Sequence, residues 1–64
     1  MIKLEKLNGE IIYLNYFQIL SLKSIPETKV KLTTGDFFLV KESVEEVMEK
    51  VTAFLRSILE GREA

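Results

Sequence analysis

A chain of 64 residues with neither Cys nor His has room for one domain, spanning residues 1–64, and is without disulfides or the usual zinc ligand sets other than carboxylates. Its formal charge of −1 is no basic footprint for a phosphate backbone, and no run of about 18 apolar residues offers a membrane span. Such a domain buries only about 60% of its unfolded surface and its core supplies roughly 3–5 kcal/mol. With disulfides and metals gone, association with further copies of the chain is the reinforcement left.

The opening MIKLEKLNG intersperses charges with apolar residues, so no secretory leader is expected. Ile2 and Leu4 alternate with Lys3 and Glu5, the period of a half-buried strand. Asn8-Gly9 interrupts it. Asn and Gly reach positive φ most cheaply, which predicts a two-residue type I′ hairpin turn with residues 10–15 as the return strand. Leu7 is then opposite Glu10, Leu4 opposite Tyr13 and Ile2 opposite Asn15. That register groups Ile2, Leu4, Ile11 and Tyr13 on one face and Leu7, Ile12 and Leu14 on the other.

Asn15-Tyr16-Phe17-Gln18 reads as a corner or single helical turn with the Asn15 side chain as cap. Residues 19–24 form the next strand, with Leu20 and Leu22 on one side and Ser21 and Lys23 on the other. Pro26 cannot donate to a ladder and presets φ for a turn, so Ile25-Pro26-Glu27-Thr28 leads into a strand over residues 28–33. Thr34-Gly35 closes the second hairpin. The last strand, residues 36–41, carries the unbroken apolar run Phe37-Phe38-Leu39-Val40, which calls for cover on both faces.

Ser43 and Glu46 form an S-x-x-E capping box and open a helix predicted over residues 44–60. Glu45, Glu46 and Glu49 sit toward the positive end of its dipole and Arg56 toward the negative end. Val44, Val47, Met48, Val51, Phe54, Leu55, Ile58 and Leu59 recur at spacings of three and four, one broad apolar stripe. Gly61 is the natural stop. A helix of this length, about 25 Å, outreaches strands of about 20 Å, so Ile58 and Leu59 should overhang the sheet. The fold class is α+β: a small antiparallel sheet of four to five strands in two hairpins, then one C-terminal amphipathic helix.

Catalysis is not expected. Without His no side chain has an unperturbed pKa near neutrality, and the Ser and Thr residues sit at turns, caps and strand surfaces with no base beside them other than carboxylates and Lys. Glu45, Glu46 and Glu49 read as a solvated helix face rather than a metal cluster, and Gly9 and Gly35 as turn glycines rather than phosphate loops. Tyr13, Tyr16, Phe17, Phe37 and Phe38 read as packing rather than a stacking platform, because no basic groove accompanies them. The Glu-rich polar face of the helix has the wrong sign for anionic lipid. No cofactor, metal or small-molecule substrate follows from any of these residues.

Charge is unevenly placed along the chain. Residues 1–41 hold six Lys against four carboxylates, a balance of +2, and residues 42–64 hold six Glu against three cations, a balance of −3. The first, second and last strands carry apolar residues on both faces, and one helix covers only one of them. Phe38, Val40, Phe54, Leu55, Ile58 and Leu59 are therefore the candidate contacts with a second copy or another partner, a homo-oligomer being the expected state.

Five motifs stand in order: Leu7-Asn8-Gly9, Leu14-Asn15, Ile25-Pro26-Glu27-Thr28, Leu32-Thr33-Thr34-Gly35, and VKESVEEV from Val40 to Val47. Together they resemble the short FlbD flagellar-protein family, also called the SwrD swarming-motility family, over residues 1 to about 55. The family usually has TPDT and a second Asn-Gly where this chain has Ile25-Pro26-Glu27-Thr28 and Thr34-Gly35, replacements that keep turn geometry. The resemblance implies a non-enzymatic, cytoplasmic accessory protein of bacterial flagellar motility that supports the motor through its stator units, held at the inner face of the membrane by a motor partner. It supplies no catalytic or ligand residues. What it carries over is structural: Asn8, Gly9, Pro26 and Gly35 at turns, and Ser43 with Glu46 at the helix cap. The competing reading is a small post-transcriptional regulator, because five strands and a C-terminal helix are also the layout of dimeric CsrA-type RNA binders.

Overall fold

The computed structural model describes residues 1–24 and 26–60. The elements run β1 (Ile2–Glu5), β2 (Ile11–Leu14), a 3-10 turn (Tyr16–Gln18), β3 (Ile19–Ser24), β4 (Thr28–Leu32), β5 (Phe37–Val40) and α1 (Val44–Leu59). β1 and β2 form one antiparallel sheet, and β3, β4 and β5 form another in that order. The α+β class is as the sequence predicts, but the strands are divided between two sheets.

The two sheets meet at β1 and β5. Lys6 bridges Val40, with Leu7 N–H donating to the Leu39 carbonyl at 3.1 Å and Lys41 N–H to the Glu5 carbonyl at 2.8 Å. A regular antiparallel ladder would return the Glu5 N–H to the Lys41 carbonyl. The Glu42 carboxylate receives it instead, at 3.1 and 3.2 Å. The chain can thus leave the sheet for α1 without orphaning the β1 amide.

The first hairpin departs from the expected type I′ turn. Lys6 N–H donates to the Glu10 carbonyl at 2.8 Å and Gly9 N–H to the Lys6 carbonyl at 2.9 Å, so the loop is three residues, Leu7-Asn8-Gly9. Only Gly9 has positive φ, at 95°, and Asn8 does not. This is a tight turn closed by a left-handed glycine in a bulge, the usual three-residue hairpin loop. Asn8 contributes its side chain rather than an unusual backbone: its Oδ1 accepts the Glu10 N–H at 2.9 Å. The second hairpin repeats the arrangement. Leu32 N–H donates to the Asp36 carbonyl, Gly35 N–H returns to the Leu32 carbonyl, Gly35 has φ 99°, and the Thr34 hydroxyl accepts the Asp36 N–H.

One residue more in the first loop shifts the register by one and turns the return strand over. Ile2 pairs with Leu14 and Leu4 with Ile12, so these four share the inner face. Ile11 and Tyr13, expected on the face of Ile2 and Leu4, lie on the opposite one and are 43% and 59% exposed. In β3 the register slips between Ile19 and Ser21. Leu20 is the extra residue of this bulge, 61% exposed, and parts company with Leu22, while Ile19 and Leu22 both pack on the core. The Asn15 side chain makes no cap bond; Gln18 N–H donates to the Asn15 carbonyl instead. Pro26 and Glu27 form a bend before β4, and Ile25 of that expected turn lies outside the described residues.

Ile2, Leu4, Leu14, Val30, Leu32, Val40 and Val47 are the buried core, with Ile12, Tyr16, Ile19, Leu22, Phe38 and Val51 packed around it. The helix lies over this inner face. Val47 is fully buried, and Phe54 meets Tyr16 with ring centroids 5.7 Å apart. The predicted capping box is formed: Ser43 Oγ accepts the Glu46 N–H at 3.1 Å and Glu46 Oε1 accepts the Ser43 N–H at 2.8 Å. Ser43→Ala strands one helix amide and should lower stability by about 1 kcal/mol. In a domain holding only a few kcal/mol, a thermal melt will show it, and an unchanged melt would place the helix start elsewhere. The helix ends at Leu59, one residue early, with Glu60 as its cap; the expected Gly61 stop lies outside the described residues.

Candidate interaction surfaces

The strands of the inner layer are four to six residues long and α1 has 16, so the end of the helix projects past the side chains it packs on. Ile58 is 53% and Leu59 84% exposed. Phe54 and Leu55, one turn earlier, are half-buried. Of the two strand residues expected to share in a contact, Phe38 is half-buried against the core with Lys6 Nζ 5.4 Å from its ring centre. Val40 is 1% exposed, so it belongs to the core and presents no surface to a partner. Its inward position follows from pairing with Thr28, itself buried.

The turn and cap residues, Asn8, Gly9, Gly35, Ser43 and Glu46, act locally as described above, and Pro26 lies exposed in the bend before β4.

Sequence reasoning missed a second apolar surface. β3 is the outer strand of its sheet, and between it and α1 runs an open groove of about 410 Å³ lined by Tyr16, Ile19, Leu20, Leu22, Met48 and Val51 among others. Of these, Leu20 and Met48 are exposed, and so is Phe17, whose ring meets that of Tyr16 edge-on at 5.6 Å. No local signal announces this groove, because the bulge that turns Leu20 outward arises from pairing with β4.

The outer face of β5 is also open, against the expectation of cover on both sides. Phe37 is 53% exposed, with only Lys29 Nζ, 4.3 Å from the ring centre, laid over it. Among the described residues the ion pairs are Lys6 with Glu10 at 3.0 Å and Lys41 with Glu5 at 3.1 Å; exposed pairs of this kind add little to stability. No helix among the described residues is long and apolar enough to cross a membrane.

The features that stand out are therefore exposed apolar side chains on a two-layer α+β module, at one helix end and along one sheet edge. The chain belongs to the FlbD family of flagellar and swarming motility proteins, which matches residues 1–59. No curated protein and no solved structure matches it significantly.

Proposed function

We propose that this protein is a non-enzymatic accessory factor of flagellar motility that works by protein–protein contact in the cytoplasm, at the inner face of the membrane, on a component of the motor or its stator. Family membership supports the motility role. The observation that supports a contact mechanism is the exposure of Ile58, Leu59, Leu20, Met48 and Phe17 on a domain too small to leave so much apolar surface idle. Affinity capture with the intact protein should recover flagellar motor proteins. Recovery of RNA instead, with a strongly salt-dependent mobility shift of a labelled transcript, would reverse the assignment in favour of a post-transcriptional regulator.

The same surface supports self-association. A homo-oligomer of closed symmetry, with a dimer the commonest form, would bury the projecting helix end, with Phe54 and Leu55 continuing the contact inward. Light scattering at micromolar concentration should give a mass above the 7.4 kDa of one chain, and Leu59→Glu should return it to the monomer while leaving the melting curve of the fold nearly unchanged, since Leu59 touches little within its own subunit. A monomeric wild type would remove self-association from the proposal.

A further inference from the structure

The pairing of β3, β4 and β5 gathers lysines that are scattered in the sequence onto one face. Lys23 lies directly opposite Lys29, Ser21 opposite Lys31, Lys29 opposite Leu39 and Lys31 opposite Phe37. The inner face of the same sheet holds Leu22, Val30, Phe38, Thr28 and Val40, so the outer face consists of three lysines, a serine, Phe37 and Leu39. No carboxylate springs from it. The nearest in sequence, Glu27 and Asp36, stand in the flanking turns, and Asp36 is engaged by the Thr34 hydroxyl. Among the described residues neither Lys23, Lys29 nor Lys31 has an ion-pair partner. Like charges directly opposite on neighbouring strands destabilise a sheet, so Lys23 beside Lys29 is a local cost that an external anion would relieve.

Acids outnumber bases on the other layer, while Glu27 and Asp36 flank this sheet and Glu5 is paired with Lys41 beside β5. α1 covers the inner face, and its solvent side carries Glu45, Glu46 and Glu49 against Lys50 and Arg56. A molecule whose net charge is only −1 thus has one basic, apolar-studded face, and a helix of net negative charge on the opposite layer. We propose that the outer face of β3, β4 and β5 docks on an anionic lipid bilayer. The sign of the charge matches acidic headgroups, and the opposite layer would be repelled, which gives the docked molecule one orientation. Phe37, exposed among the lysines, is placed to enter the headgroup region, where aromatic rings are favoured. A bilayer is preferred over single-stranded nucleic acid because Phe37 is the one exposed aromatic on this face, whereas strand binding uses successive stacking rings along a basic groove. This inference is independent of the motility reading, since it concerns lipid alone.

Each lysine brought close to an anionic leaflet raises partitioning roughly fivefold, so three give about a hundredfold. The test is co-sedimentation of the full chain with phosphatidylcholine vesicles and with vesicles containing phosphatidylglycerol, at low and high salt, with a single-stranded oligonucleotide in a parallel arm. Binding is expected only to the anionic vesicles and should weaken with salt. Lys23→Gln/Lys31→Gln, both exposed positions, should reduce it about 25-fold, Phe37→Ser by a smaller factor, and Arg56→Gln on the helix should leave it unchanged; circular dichroism confirms that each variant is folded. Equal binding to both vesicle types, no binding by the wild type, a lysine double variant that binds like the wild type, or retention by the oligonucleotide without retention by vesicles would each overturn the proposal.

Discussion

Leu4→Ala should remove about 3 kcal/mol from the stability of this domain, within the range for a leucine cut to alanine at a fully buried site. Leu4 is 0% exposed and pairs with Ile12 across the hairpin, at the point where β1 meets the inner face under α1. Because the whole core supplies roughly 3–5 kcal/mol, the variant should be largely unfolded well below the melting temperature of the wild type, as followed by far-ultraviolet circular dichroism in urea. A loss under about 1 kcal/mol would mean that β1 is not the floor of the core. The neighbouring pair on β2 sharpens the test. Ile12→Ala should cost clearly more than Ile11→Ala, since Ile12 packs on the core and Ile11 is 43% exposed. The reverse order would restore the two-residue turn and its register.

Gly9→Val should cost roughly 2 kcal/mol or more, because a β-branched residue is forced to φ near 95°, a region closed to it by contact between its own Cβ and the backbone. The cost is conformational alone: a Cβ built at Gly9 meets nothing within 4 Å. Asn8→Ala, which removes only the acceptor for the Glu10 N–H, should cost about 1 kcal/mol. The ordering of the two melting temperatures is the readout. A Gly9 variant as stable as the wild type would show that the loop relaxes out of its left-handed conformation without loss.

These variants bear on where local chemistry stops deciding the structure. The Ser43 and Glu46 side chains need only their own helix turn to make their bonds, so the capping box is legible in the sequence, as are the period-two strands, the glycine turns and the class of fold they imply. The Leu7-Asn8-Gly9 segment is compatible with either a two-residue or a three-residue loop, since both place Gly9 at positive φ. The choice moves every β2 side chain to the other face, and it is made by which set of side chains meets Val47 and Val30 across the core.

Other features depend on contacts between residues far apart in sequence. Leu20 is turned outward because β3 slips against β4, and Val40 is buried because Thr28 on β4 and Lys6, just past the end of β1, flank it on either side. Neither the bulge nor the sheet junction leaves a local signal. The gathering of Lys23, Lys29 and Lys31 on one face has the same origin: the chain order already puts a +2 balance in the strands and −3 in the helical part, but only strand pairing sets these lysines side by side on the outer face. By itself, then, the sequence determined the elements, their caps and turns, and the family. The tertiary structure decided the faces, because which side of a strand meets the core is a property of the partner strand and the helix above it, not of the strand alone.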